Sequence, residues 1–325
     1  MKDTLKLTTN MTHRWLIFLY IIAGTSLLRS TPLVYNMKIR RVFTGINAFI
    51  KRDIKKPVWV VSAVPIYYHR TSHIVNERTR TNLFEKRFGG GSLFNVRYVP
   101  DRTWWLEATT AIQKETASAH GSATICGSRT GFDDIVLAGG YNFFPTEKVQ
   151  ISPYALVGFP TRTKVTLQEV EGALVGSRFY GLGFGTEFSY GFITEIPRSF
   201  VAISQVRFIH FFTRLWQPIL PPCGKIQPGN LTDILLGLRY RHKRTLFEAG
   251  YNPTIFTNQA VLLPTEKISA PTSVRHGVYG SITHLLKRVT IANKPIAIGA
   301  GFNFNRLPRL DANTILVWVN FTIII

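Results

Sequence analysis

The stretch Arg178-Phe-Tyr-Gly-Leu-Gly-Phe-Gly-Thr-Glu-Phe-Ser-Tyr-Gly-Phe192 divides its residues between two faces. Tyr180, Leu182, Phe184, Phe188, Tyr190 and Phe192 share one parity, and Gly181, Gly183, Gly185, Glu187, Ser189 and Gly191 share the other. Successive side chains of a strand point to opposite sides, so the run predicts a strand with one apolar, aromatic face and one small, polar face. A half-buried sheet in a soluble protein would alternate in the same way. The connections between such segments therefore decide the architecture.

Working outward from this stretch, segments of similar character recur after Pro57, and the links between them fall into two classes. Short links are Val99-Pro-Asp-Arg-Thr103, Pro145-Thr-Glu-Lys148, Thr194-Glu-Ile-Pro-Arg-Ser199, Arg241-His-Lys-Arg244 and Lys287-Arg288. Long links cover about 71–90, 115–130, 162–177, 213–229 and 258–273, with a shorter one at 306–313. Long and short alternate strictly along the chain. The strands between them are expected at about 58–70, 91–99, 103–114, 132–144, 148–161, 178–193, 199–212, 231–241, 244–257, 274–286, 289–304 and 314–325. An even number of long strands with short turns at one end and long loops at the other is how a sheet closes in a membrane. Lipid offers no hydrogen bonds to an open edge, so closure is required there.

In this rhythm the region from Pro57 to Ile325 resembles the bacterial outer-membrane β-barrel proteins, the porin-like superfamily. Aromatic residues near strand ends, including Trp59, Tyr67, Trp104, Tyr141, Phe159, Tyr180, Phe212, Tyr240 and Phe321, are placed for interfacial girdles. Thr314-Ile-Leu-Val-Trp-Val-Asn-Phe-Thr-Ile-Ile-Ile325 looks like the terminal strand that such proteins offer to their assembly machinery. The family usually ends on an aromatic residue, whereas this chain ends on Ile325 with Phe321 and Trp318 further in. The resemblance implies an all-β fold, a closed antiparallel up-and-down transmembrane β-barrel of about 12 strands. It also implies residence in the bacterial outer membrane, with outer-membrane lipid and the assembly machinery as partners.

Before Pro57 the pattern differs. Lys2, Lys6, His13 and Arg14 precede the apolar run Trp15 to Leu28, which has the order of a secretory signal and is shorter than the roughly 20 residues of a spanning helix. Residues 1–30 are read as a signal peptide. Between 31 and 56, Val42, Phe43, Ile46, Phe49, Ile50 and Ile54 recur at helical spacing among Arg40, Arg41, Lys51, Arg52, Lys55 and Lys56. That pattern predicts a basic amphipathic helix or linker, lying on an anionic membrane surface, folded under or into the barrel, or packed on the body. Residues 57–325 are read as the barrel.

Composition supports strands: 23 Phe, 12 Tyr and 25 Gly accompany only 3 Met and 2 Cys in 325 residues. The formal charge of +21 comes from Lys and Arg scattered in ones and twos, with no basic stripe on a nucleic-acid motif, so no nucleic-acid partner is expected. Gly89-Gly-Gly91 lacks the Lys and Ser/Thr of a phosphate loop, and His69/His73 and His276/His284 are too isolated for a metal site. No cofactor, metal or catalytic residue is assigned.

With the apolar parity toward lipid, the opposite parity lines the interior, and its charged candidates are Arg97, Glu107, Glu187, Arg207, Arg239, Arg241 and Glu248. Four arginines against three glutamates tilt the interior toward anions. A narrow passive channel for small anionic or zwitterionic solutes is one reading, and a paired charge network filling a non-conducting structural or adhesive barrel is the other. A barrel lipid hydrolase is a third, resting on His120-Gly-Ser122 with Asp133 and Asp134 as acids that could orient the imidazole. Cys126 and Cys223 fall on two long links of the same side, where a loop-pinning disulfide is open.

Overall fold

The computed structural model describes residues 57–325 apart from 77–80, 121–124, 162–178, 195–197, 217–223, 259, 263–266, 270–271, 292–293 and 308–311. The expected signal segment and amphipathic helix lie outside the described residues.

Twelve staves make the barrel. They are β1 (Val58–Asn76), β2 (Thr81–Val99), β3 (Trp104–His120), and β4 (Ile125–Phe132, resumed at Ile135–Tyr141 and Phe143–Thr146). Next come β5 (Val149–Phe159), β6 (Gly181–Ile193), β7 (Arg198–Phe211) and β8 (Asn230–His242). The last are β9 (Thr245–Tyr251 and Thr254–Thr257), β10 (Ser273–Ile291), β11 (Lys294–Leu307) and β12 (Ala312–Ile324). Each pairs antiparallel with its sequence neighbours. The last stave returns to the first: Val60 faces Ile324 and Thr71 faces Asn313 across β1 and β12. Trp59 and Ile325 exchange both backbone hydrogen bonds, at 2.9 and 2.8 Å. The sheet is a closed ring.

Three expectations about connections are corrected. The links at 71–90 and 115–130 are largely strand: β1 and β2 stay paired out to Asn76 and Thr81, and β3 and β4 pair out to Ala119 and Ile125. These rim segments read as loops because apolar alternation stops where staves leave an apolar surrounding, while backbone pairing does not. Within the links at 213–229 and 258–273, Arg214–Trp216, Gly224–Gln227, Ala260–Leu262 and Lys267–Ser269 form a separate four-stranded sheet. The turn expected at Lys287-Arg288 lies further on, because β10 carries a bulge between Leu285 and Thr290 and continues to Ile291.

Parity sorts the two faces. Phe184 is 65% exposed, and Leu106, Trp104, Leu182 and Leu236 are similarly bare, whereas Arg207 on the other face is 1% exposed. Exposed aromatics and aliphatics run over every stave, far more than the few hundred Å² of contiguous apolar surface a soluble monomer carries. On β4 two consecutive residues, Asp133 and Asp134, turn inward and are fully buried. Outward positions are therefore even at Phe132 and odd at Ile135, the parity switch of a β-bulge.

Inside, Val60, Val64, Ile66, Tyr68, Leu93, Ala111, Leu316 and Trp318 pack as one cluster beside the closing seam. Glycine makes room for inward rings at specific places. A Cβ on Gly89 would lie 2.5 Å from the Tyr68 ring, so the tyrosine lies flat only over a residue without a side chain.

Candidate functional site

The inward face of the barrel is the candidate site, and it is built from cross-strand register. Arg207 of β7 faces Asp233 of β8, which lies in register with Thr254 of β9. Arg207 Nη2 donates to Asp233 Oδ2 at 2.9 Å, and Thr254 Oγ1 donates to Asp233 Oδ1 at 2.9 Å. Arg239 of β8 faces Glu248 of β9; its Nε donates to Glu248 Oε2 at 2.9 Å, and the Tyr279 hydroxyl donates to Oε1 at 3.0 Å. Such pairs form because two oppositely charged side chains share one face at the separation of opposed Cβ atoms.

The same rule operates across β2 and β3. Arg97 lies 3.7 Å from Glu107 and stacks over the Trp105 ring, 4.1 Å from its centroid. Arg87 Nη1 donates to Glu115 Oε1 at 3.1 Å, and the Tyr68 hydroxyl donates to the other oxygen of Glu115. Glu187 accepts from Gln205 at 3.3 Å, and Gln205 also donates to the Tyr154 hydroxyl at 2.6 Å. Arg241 lies at the end of β8 and donates to the Lys243 carbonyl in the adjoining turn at 3.1 Å.

Arg97, Glu107, Arg207 and Glu248 are thus buried on the enclosed face, with Glu187 and Arg239 partly so. Arg70, Arg87, Glu115, Asp233 and Arg275 join them there, unanticipated. Arg87 and Glu115 were hidden in expected loops. Asp233 and Arg275 share the parity of Leu231 and Gly277 within expected strands, so strict alternation would have found both.

Asp133 does not stand level with His120 on the sheet. The Asp133 amide donates to the Ala111 carbonyl at 2.7 Å, while His120 stands nine residues further along β3. At strand rise that is about 30 Å. Asp133 instead accepts from Gln113 Nε2 at 2.9 Å and from the Asp134 amide at 2.7 Å. Ser122 and Cys223 lie outside the described residues, and Cys126 is on β4 in register with Ser118.

A closed ring of antiparallel staves, apolar outside and charged within, decides the fold. The chain is an outer-membrane-type β-barrel. An outer-membrane channel from Pseudomonas putida F1 has a similar fold, with TM-score 0.60 and 11% identity over 85% of this chain and 98% of that one. More distant are the translocator domain of the autotransporter NalP from Neisseria meningitidis (TM-score 0.49, 10% identity, 89% and 95% covered) and the transport unit of the autotransporter AIDA-I from Escherichia coli (0.48, 8%, 86% and 96%). No protein-family model and no curated protein sequence matches the chain.

Proposed function

We propose that this outer-membrane-type barrel resides in the bacterial outer membrane and is a narrow passive channel for small zwitterionic or anionic solutes. The observation that carries the reading is the string of Arg–carboxylate pairs on the enclosed face: Arg87–Glu115, Arg97–Glu107, Arg207–Asp233 and Arg239–Glu248. Burying an ion pair is rarely worth more than packing apolar side chains of equal volume. Charge of both signs thus recurs at successive levels of the enclosed face, and a solute bearing both signs matches it wherever a pair parts to admit it.

The balance of charge also refines the solute. Glu115, Asp133, Asp134 and Asp233 add to the three glutamates read from the sequence and offset the arginines, so zwitterions fit better than simple anions. The reading of a non-conducting barrel draws on the burial of those same pairs, whose carboxylates are at most 3% exposed, and on the apolar cluster around Leu93 and Trp318 within the ring.

Single-channel recording in planar bilayers separates the two. A small conductance is expected, with Arg207→Gln and Arg239→Gln each moving the reversal potential toward cation preference, because removing a guanidinium leaves its carboxylate dominant. A purified, folded barrel without conductance would support the non-conducting reading. Conductance whose selectivity ignores both substitutions would remove the charged pairs from the mechanism.

A further inference from the structure

The ladder that closes the barrel has a gap. β1 and β12 pair from Val60–Ile324 to Ala63–Phe321 and again from Ile66–Trp318 to Thr71–Asn313, while Val64 and Pro65, opposite Asn320 and Val319, are unpaired. The reason is local. Trp59 and Ile325 exchange both hydrogen bonds, so residues of odd number on β1 present their amides to β12. Pro65 has that parity and no N–H. Its register with Ser92 on the other side is unbroken, so the proline removes a donor from the closing seam and leaves the β1–β2 pairing whole.

The surroundings of this gap are unusual on both faces. On the outward face, beside the paired rungs Val61–Ile323 and Ala63–Phe321 next to the gap, an apolar groove of about 400 Å³ runs from Phe94 across the seam to Ile296 and Ile298; Pro65 and Val319 themselves do not line it. It forms because Ala63 is small between Phe94 and Phe321, its register partners, and it is continuous with the exposed apolar belt, so its occupant is a lipid acyl chain. On the inward face Asn320, opposite the unpaired Val64, is 1% exposed, and neither atom of its amide has a hydrogen-bond partner among the described residues. A buried, unsatisfied amide behind a missing ladder bond weakens the seam at one level and offers a polar group to whatever enters there.

We propose that the β1–β12 seam opens at Pro65–Val319 and forms a lateral passage for amphiphilic molecules between barrel interior and bilayer, with the apolar chain taken by the groove and the polar end met by Asn320. The passage rests on the outer-membrane-type fold and not on conduction through the barrel, so a non-conducting protein leaves it standing.

Two measurements on the full chain in lipid nanodiscs test it. Hydrogen exchange of the segment 314–325 should slow by about tenfold in Pro65→Val, and likewise in Pro65→Ala should the first variant fold poorly, with β6 and β7 unchanged. A cysteine at Asn320→Cys should react with a maleimide carried on a bilayer-confined acyl chain when Pro65 is present and not in the Pro65→Val background. Gln205→Cys, inward but remote from the seam, should stay unreactive in both. Equal exchange in wild type and both variants, or an Asn320→Cys protein inert to the acyl maleimide, overturns the lateral passage.

Discussion

A guanidinium buried to 1% exposure, as at Arg207, is held there by its carboxylate partner and by the hydroxyl that supports that carboxylate. Removing one member strands the other. Arg207→Met should destabilise the barrel by about 3–5 kcal/mol in urea titrations in detergent, and Arg207→Met with Asp233→Leu should recover most of the loss. Equal losses for the single and double variants would contradict the pairing. Glycine under an aromatic ring has an equally specific cost: Gly89→Val drives a Cβ into the Tyr68 ring and should lower stability by about 1–3 kcal/mol. Tyr68→Ala should relieve that penalty when combined with it.

Asp101 sits in the turn before β3 and accepts hydrogen bonds from the Thr103 hydroxyl and amide, each at 2.6 Å, and from the Trp104 amide at 2.9 Å. These bonds, the Thr103 hydroxyl first, hold its carboxyl below the usual 3.8. A depressed folded-state value means that the turn's stabilisation is complete above the ordinary carboxylate range and fades as pH falls through the folded value. Titration of the Asp101 carboxyl carbon by NMR should give a midpoint below that of an unfolded aspartate, and Thr103→Ala should raise it.

At the scale of the stave, alternation is the governing property. Phe184, fourth of the thirteen residues of β6, points outward, so Phe184→Arg places a charge against lipid and should cost about 1–4 kcal/mol in vesicle-refolding measurements. A neutral outcome would put that face in water. The same alternation made most staves legible in the sequence, because one stave needs only its own residues to declare two faces. It also placed Arg207 and Glu248 on the enclosed side. Legibility failed where no alternation was needed or where it changed phase. Beyond Thr71 and Glu115 backbone pairing continues where the sequence shows no apolar alternation, and the Asp133-Asp134 bulge switches parity within one stave. Partners such as Asp233 for Arg207 depend on register between staves, which a single strand's pattern does not contain.

For the whole molecule, closure is what makes an apolar exterior and a charged interior compatible, since it leaves no unpaired edge facing lipid. Ser62 and Thr322, whose hydroxyls lie 2.8 Å apart across β1 and β12, belong to a narrow, non-hydrogen-bonded pair. Ser62→Cys with Thr322→Cys should therefore oxidise to an intrachain disulfide and change gel mobility without reductant. The outward and inward parities then follow for every stave, including Gly181–Ile193. The most direct test is a cysteine scan of that stave in bilayers, each site carrying a fluorophore and each bilayer containing spin-labelled acyl chains. Strong quenching is expected at Leu182, Phe184, Phe188, Tyr190 and Phe192 and weak quenching at Gly183, Glu187 and Ser189; quenching without this alternation, or with the opposite parity, would contradict a lipid-facing apolar side.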